Sequence, residues 1–311
     1  MVSHDAGQYH YVPVTTITAV ATAKPFTNRR SGPSDTTWNR PYRSHVTHTP
    51  TRGEPPRLLS VVAAQIQVSW TVEDNLQRIR DVLTQTQADD LVLLPEGALS
   101  GYGTDLSALD DRSRADAAGQ AASYVADLAR QHGVHVFCGS LIWEHSAWWN
   151  AALYFGPNAE RWDYRKINLA MNERGRLRSG ARLAPLSIAT RAGTVTVGVQ
   201  ICREIRFPEQ WRHLVDAGAE VLVYLTHAAN PTEPSGVWRS HLISRAAENQ
   251  RFVLACNAAE PLQHCPSMIV SPRGEVLAET VSTGPESLRT TIDVNQTSNW
   301  YLSQRRDVSN L

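Results

Sequence analysis

The chain has 311 residues with 30 Lys and Arg against 30 Asp and Glu, a formal charge of zero that argues against a nucleic-acid-binding protein. The length is ample for a core without disulfide or metal staples, and no apolar run approaches the roughly 18 residues of a membrane helix. The four cysteines, Cys138, Cys202, Cys256 and Cys265, have neither CxxC nor zinc-ligand spacing, so free thiols in a reducing, cytoplasmic setting are expected.

Residues 1–57 hold 7 of the 17 prolines and carry 7 Lys/Arg against 3 Asp/Glu, with no sustained helix or strand period. They read as a flexible extension outside the core. Tyr11 to Ala23 is a weakly apolar run ending in Ala21-Thr22-Ala23, which mimics a signal cleavage site. It lacks the positive segment before it that a secretory signal needs, so export is not expected.

From Leu58 the pattern becomes regular. Leu58 to Ala64 suits a buried strand, and Thr71-Val72-Glu73-Asp74 offers a capping box for a helix with Val72, Leu76, Ile79 and Leu83 on one face. Leu91 to Leu94 is a strand, Ala115 to His132 a helix stopped by Gly133, and Val134 to Gly139 a third strand. Asn150 to Phe155 and Arg161 to Tyr164 form a hairpin. The rhythm then repeats: Thr194 to Ile201 strand, Phe207 to Ala217 helix, Glu220 to Leu225 strand, Trp238 to Asn249 helix and Arg251 to Asn257 strand. Met268 to Val270, Glu275 to Ala278 and Leu288 to Asp293 close the series as strands. Alternating elements imply an α/β fold, and the repeated order implies two similar sheets in one domain, whose facing the pattern alone leaves open.

Three reactive side chains follow predicted strands, where sites collect in α/β proteins. Cys202 ends an apolar strand just before a helix start, so its sulfur is expected on a sharp turn whose backbone N–H groups stabilise a thiolate and an oxyanion. Glu96 follows Leu91-Val92-Leu93-Leu94-Pro95, a place for a partly desolvated general base. Lys166 lies in Tyr164-Arg165-Lys166-Ile167-Asn168-Leu169. Each has an ordinary alternative: a small apolar filler for the thiol, a loop carboxylate for Glu96 and a solvated charged face for Lys166.

Together, in this order, they resemble the carbon–nitrogen hydrolase (nitrilase) superfamily. The matching segments are Leu94-Pro95-Glu96 with Gly101-Tyr102, the lysine segment above, and Gly198 to Glu209 around Cys202, supported by Trp149-Asn150-Ala151-Ala152, Ser244 to Gln250 and Ser267 to Glu275. The resemblance covers about residues 58–295, leaving 296–311 as a tail open to subunit contacts. It implies a four-layer αββα sandwich, two mixed sheets flanked by helices, that assembles as a homodimer or higher homo-oligomer. It also implies a Glu-Lys-Cys triad in which Cys202 attacks a small-molecule amide or nitrile carbon, Glu96 moves the proton and later activates water, and Lys166, with the Arg203 backbone N–H, stabilises the tetrahedral intermediate. A thioester follows, and neither metal nor organic cofactor is required.

Glu173 falls where family amidases carry a second glutamate that holds the lysine, although the aromatic usual four positions later is Leu177. Tyr102, Asn172 and His227 are expected to line the pocket. Arg206 and Glu209 read as structural, pinning the turn and complementing the helix dipole. Cys138 and Cys256 read as packing, and Cys265 stands where the family pattern usually has glycine.

The residue after the nucleophile separates branches of the superfamily: tryptophan in nitrilases, an Asn-Asp pair in D-amino-acid carbamoylases, tyrosine in dicarboxylate-monoamide hydrolases. Here it is Arg203, followed by Glu204, with Ile205 where carbamoylases that bind a carboxylate carry arginine. Amide hydrolysis is the leading expectation. An amide-forming or cyclising use of the same acyl-enzyme is the alternative, with nitrilase, carbamoyl hydrolase and inactive partner-binding relative behind it.

Overall fold

The computed structural model describes residues 55–234 and 236–306; the expectations for residues 1–54 and for the last five positions lie outside the described residues. Residues 58 to 165 form β1 (Leu58–Gln65), α1 (Val72–Leu83), β2 (Leu91–Leu94), α2 (Ser113–His132), β3 (His135–Glu144), β4 (Ala147–Phe155) and β5 (Arg161–Arg165). Residues 186 to 293 form β6 (Leu186–Thr190), β7 (Gly193–Ile201), α3 (Pro208–Asp216), β8 (Val221–Thr226), α4 (Val237–Asn249), β9 (Phe252–Asn257), β10 (Met268–Val270), β11 (Val276–Glu279) and β12 (Glu286–Asp293).

They build two six-stranded sheets, ordered β12-β1-β2-β3-β4-β5 and β11-β10-β9-β8-β7-β6. In each, three parallel strands (β1, β2, β3 and β7, β8, β9) are flanked by antiparallel strands. The expected pseudo-repeat is therefore present as geometry. Two of its details differ from the reading of the sequence. The last strand, β12, leaves its own half and pairs with β1 across the whole register from Leu58↔Asp293 to Gln65↔Glu286. Its counterpart β6, which the sequence reading left out, pairs with β7 at the matching edge. Leu186–Thr190 escaped because as an edge strand it buries only Ile188, so no apolar run announces it.

Alternation along β1 shows how the layers form. Leu59, Val61 and Ala63 share one buried cluster with Val197, Val199 and Leu225 of the other sheet, whereas Val62 and Ala64 join Ile79, Leu83 and Val125 of α1 and α2. Side chains two apart share a face, so one strand feeds two interfaces. The helices α3 and α4 cover the second sheet through Trp211, Leu214, Leu242 and Ala246. The result is the expected αββα sandwich. Among the described residues no helix is long and apolar enough to cross a membrane.

Two local devices also depart from expectation. Thr71 makes no side-chain cap at the start of α1; instead the buried Asn75 amide accepts from the Ser69 N–H (2.9 Å) and donates to the Ser69 carbonyl (2.7 Å). Asn75, not the half-buried Leu76, completes the inward face of the helix. Gly133, by contrast, ends α2 as foreseen, in the left-handed region at φ 67° with its N–H on the Ala129 and Arg130 carbonyls.

Candidate active site

The site is assembled from strand ends of both sheets. Glu96 lies in the turn after β2, and the turn is possible only because of two glycines. Gly97 sits at φ 72°, where a Cβ would meet the Tyr102 Cβ at 2.2 Å, and a Cβ on Gly139 of β3 would stand 2.4 Å from the Glu96 Cα. The close packing holds the Glu96 backbone against its neighbouring strand.

Lys166, immediately after β5, is fully buried and donates from Nζ to Glu96 Oε1 and Glu173 Oε1, each at 2.9 Å. Both carboxylates are fully buried as well. Asn150 of β4 donates from Nδ2 to the same two oxygens, at 2.7 Å to Glu96 and 2.6 Å to Glu173. Tyr102 donates its hydroxyl to Glu173 Oε1 (2.9 Å), the Ala170 N–H reaches Glu173 Oε2 (2.5 Å), and the His227 N–H reaches Glu96 Oε2 (2.9 Å). No carboxylate oxygen is left without a donor, as buried charge requires.

The electrostatics follow from this packing. Burial works to lower the Lys166 pKa, but the Glu96 charge, joined by Cys202, Tyr102 and Glu173, outweighs it and holds the ammonium well above the ordinary lysine range. Burial raises the Glu173 carboxyl, and Lys166, by charge and hydrogen bond, pulls it below the ordinary value. Tyr102 is pushed well up by burial and then by Glu96, so it stays a phenol able to donate.

Cys202 opens a short 3₁₀ segment, Cys202–Arg206, between β7 and α3. Its φ is 47°, a left-handed backbone that a residue with a Cβ adopts at a cost of about 1–3 kcal/mol. The Tyr224 hydroxyl donates to the Cys202 carbonyl at 2.8 Å and secures the turn. The residue is 8 % exposed, and burial first, then the Glu96 charge, pushes the thiol pKa up to about 12, against a lowering contribution from Lys166. At neutral pH it rests as a thiol beside a carboxylate.

Glu204 joins the lysine segment to the cysteine turn. This fully buried carboxylate accepts from the Tyr164 hydroxyl (2.7 Å) and the Ile167 and Asn168 N–H groups (2.8 and 3.1 Å) on one oxygen, and from the Ile201 N–H (2.8 Å) on the other. Burial raises its pKa, and those hydrogen bonds oppose the rise. Sequence reasoning passed over both Asn150 and Glu204. The available signal was polarity out of place: an amide within the apolar strand Ala147–Phe155, and a second acid two positions after the cysteine.

Cys202 opens onto a cavity of about 630 Å³, whose wall includes Tyr102, Asn172, Arg203, His227, Trp238 and His264. All three residues expected to line the pocket therefore do so. The exposed Asn172 donates to the Gly103 and Thr104 carbonyls at 3.3 Å each, tying the rim to the Tyr102 turn. His227 stacks obliquely on Tyr102 with ring centroids 5.6 Å apart, and burial lowers its pKa so that the imidazole is neutral. Arg206 does more than pin its turn, since it lines the cavity and forms an ion pair with Glu233, another lining residue. Leu177, in the place of the usual aromatic, packs in a satellite cluster with Tyr102, Trp148 and Leu169. Cys138 and Cys256 are fully buried in the sandwich, the second with its sulfur on the Ala64 and Leu93 carbonyls between the sheets. Among the described residues no group of three or more His, Cys, Asp or Glu side chains is arranged to hold a metal ion.

The family model for carbon-nitrogen hydrolases matches residues 58–301. The chain belongs to this family. Among curated relatives, a 2-oxoglutaramate amidase of Bacillus subtilis is 35% identical over 200 residues, covering 61% of this chain and 73% of the relative. A 2-oxoglutaramate amidase of Paenarthrobacter nicotinovorans is 28% identical over 249 residues, covering 74% and 81%. Among solved structures, a carbon-nitrogen hydrolase of Helicobacter pylori superposes with a TM-score of 0.70 at 19% identity, covering 81% of this chain and 96% of that one. As a carbon-nitrogen hydrolase, the protein is an enzyme acting on C–N bonds other than peptide bonds.

Proposed function

We propose that this hydrolase cleaves a small-molecule amide to a carboxylate and ammonia or an amine, through a thioester on Cys202. The observation that carries the reading is the Lys166 ammonium held at 2.9 Å from both Glu96 and Glu173, behind a cysteine on a left-handed turn at the cavity floor.

Glu96 takes the Cys202 proton as the sulfur attacks the amide carbon. A thiol pushed up to about 12 needs that base, because little thiolate exists at neutral pH. The carbonyl oxygen becomes an oxyanion, which Lys166 Nζ and the Arg203 backbone N–H stabilise. Collapse breaks the C–N bond, and Glu96 returns the proton to the departing nitrogen. Water then gives its proton to Glu96 as its oxygen attacks the thioester carbon. A second collapse expels the sulfur, Glu96 returns its proton to restore the Cys202 thiol, and the acid leaves as its carboxylate. Glu173 acts through Lys166: with Asn150, Tyr102 and Ala170 holding it, it fixes where the ammonium points. The cavity wall includes the exposed Met171 and Asn172, so water has access to the acyl-enzyme, which favours hydrolysis over cyclisation. Two relatives named as 2-oxoglutaramate amidases and one named as an (R)-stereoselective amidase support an amide substrate. We also propose that the enzyme works as a homodimer or larger assembly in the cytoplasm, with residues 296–311 available for subunit contacts and 1–57 as an appended extension.

The test is intact-protein mass spectrometry with a panel of primary amides, with ammonia followed in parallel. An acyl adduct on Cys202 is expected in wild type. Cys202→Ala is expected to lose turnover by at least about 10⁴-fold, and Glu96→Gln nearly as much. Ammonia release surviving in Cys202→Ala would remove the nucleophile assignment.

A further inference from the structure

The end of β8 serves the site through its backbone and also brings it a side chain. The His227 N–H donates to Glu96 Oε2 at 2.9 Å. One position earlier, Thr226 is fully buried, and its Oγ1 has no hydrogen-bond partner among the described residues. A buried hydroxyl is seldom left so, because the unmade bond costs stability, and each exception asks for a reason. The strand register shows what lies beside it. β7 and β8 run parallel with Ile201 opposite Leu225, so the next residue along each chain, Cys202 and Thr226, stand side by side at the strand ends. Side chains two apart on a strand share a face, and Tyr224, two before Thr226, sends its hydroxyl to the Cys202 carbonyl at 2.8 Å. Thr226 therefore projects toward the cysteine turn. Its carbonyl accepts from the Ala258 N–H at 3.1 Å, which fixes the backbone there. Burial and the Glu96 charge push the Cys202 pKa up to about 12, and the Thr226 hydroxyl is among the groups that oppose them.

We infer that Thr226 is a further catalytic residue, whose hydroxyl makes no hydrogen bond in the resting enzyme and donates one to the Cys202 sulfur as charge develops there. The inference rests on Cys202 as the nucleophile of the proposed amidase and deepens that reading. Lys166 and the Arg203 N–H are committed to the oxyanion, and Glu96 to the proton. The sulfur itself carries charge twice: when Glu96 takes its proton during attack on the amide, and when the second tetrahedral intermediate expels it. The hydroxyl keeps its own proton at both points and only donates a hydrogen bond. A donor aimed where charge appears costs some stability at rest and lowers the barrier, because its bond is made in the transition state and not before.

The experiment uses the full chain as wild type and as Thr226→Val, Thr226→Ser and Thr226→Ala. Valine keeps the shape and removes the hydroxyl, while serine and alanine share a lost methyl and differ in the hydroxyl alone. The rate of Cys202 alkylation by iodoacetamide at fixed pH, read by mass, is expected to fall about ten- to a hundredfold in Thr226→Val and Thr226→Ala, with most of it returning in Thr226→Ser. On primary amides kcat/KM is expected to follow the same order. A structural role would not give the third readout: with no bond to lose, Thr226→Val is expected to melt at or above the wild-type temperature. Alkylation that is unchanged or faster without the hydroxyl overturns the inference while leaving the amidase intact, and so does a fall shared equally by Thr226→Ser and Thr226→Ala. Should Thr226→Val fail to fold, the serine and alanine pair decides alone. If wild type turns over no amide, the amidase reading fails, and the alkylation rates still decide the role of Thr226: a rate that depends on the hydroxyl supports it, and one that does not overturns it.

Discussion

The two halves of the sandwich place polar residues at corresponding strand ends and use them in opposite ways. At the end of β1, Gln65 is buried and fully engaged. Its amide donates to the Ser282 and Gly284 carbonyls (2.9 and 2.8 Å) and accepts from Ser267 and Thr280 hydroxyls (2.9 and 3.2 Å), stapling β1 to the loop before β12. At the end of β7, the backbone turns left-handed and delivers the Cys202 thiol to a cavity. The same frame thus closes one end with hydrogen bonds and opens the other for chemistry. The lesson is that strand-end position makes a site available, and the spare polar capacity left there makes it reactive.

Removing Lys166 tests this contrast most severely. Lys166→Ala leaves two buried carboxylates sharing Asn150 with no cation, so a loss of turnover of at least about 10³-fold is expected together with about 3–5 kcal/mol of stability. Kinetics and a denaturant melt read both; a variant of unchanged stability would mean the charges are not compensated as described.

Glu204→Gln is expected to come next. The amide cannot accept on both sides, so either the Ile167 and Asn168 N–H groups or the Ile201 N–H faces a donor. A misplacement of Lys166 against Cys202 by about 1 Å costs about a hundredfold in kcat with little change in KM. Equal losses in kcat and thermal stability without any change in the rate of Cys202 alkylation would reduce Glu204 to a fold residue.

At the other strand end, Gln65→Ala should leave kcat within about twofold and lower stability by about 1–3 kcal/mol, because it strands buried hydroxyls and carbonyls that bond to none of Glu96, Lys166 and Cys202. A large loss of kcat would break the separation between the closed and open ends.

The smallest effect concerns pH. Burial lowers the pKa of His135, His227, His241 and His264. Each is therefore neutral in the folded chain where the unfolded chain already binds a proton. Stability is present above the unfolded value of about 6.5 and declines as pH falls below it through the folded values. Melting temperature followed from pH 8 to pH 5 should fall monotonically, and a rise over that window would contradict the sign.

Much of this was legible before any fold was seen. The apolar strands, the helix stop at Gly133 and the order Glu96, Lys166, Cys202 are local properties: periodicity, φ preference and residue type travel with the sequence. Glu173 was legible through the family resemblance, which places a second glutamate shortly after the lysine segment, Tyr102 through its place after the Glu96 turn, and His227 through its position just beyond a strand. Asn150 was less so, because an amide in a strand declares that something polar must meet it without saying what.

What the sequence alone determined was which residues can carry the chemistry and which backbone segments are strands and helices, since both depend on neighbours a few positions away. Only the tertiary structure decided that β12 crosses to the first sheet and that Lys166 reaches Glu96, 70 positions earlier. It alone showed that Glu204 ties two strand ends together, and that Arg206 is neutralised by Glu233. Those are pairings between groups distant along the chain. They form because burying each polar group forces it to find a partner in space, and no local pattern specifies which one.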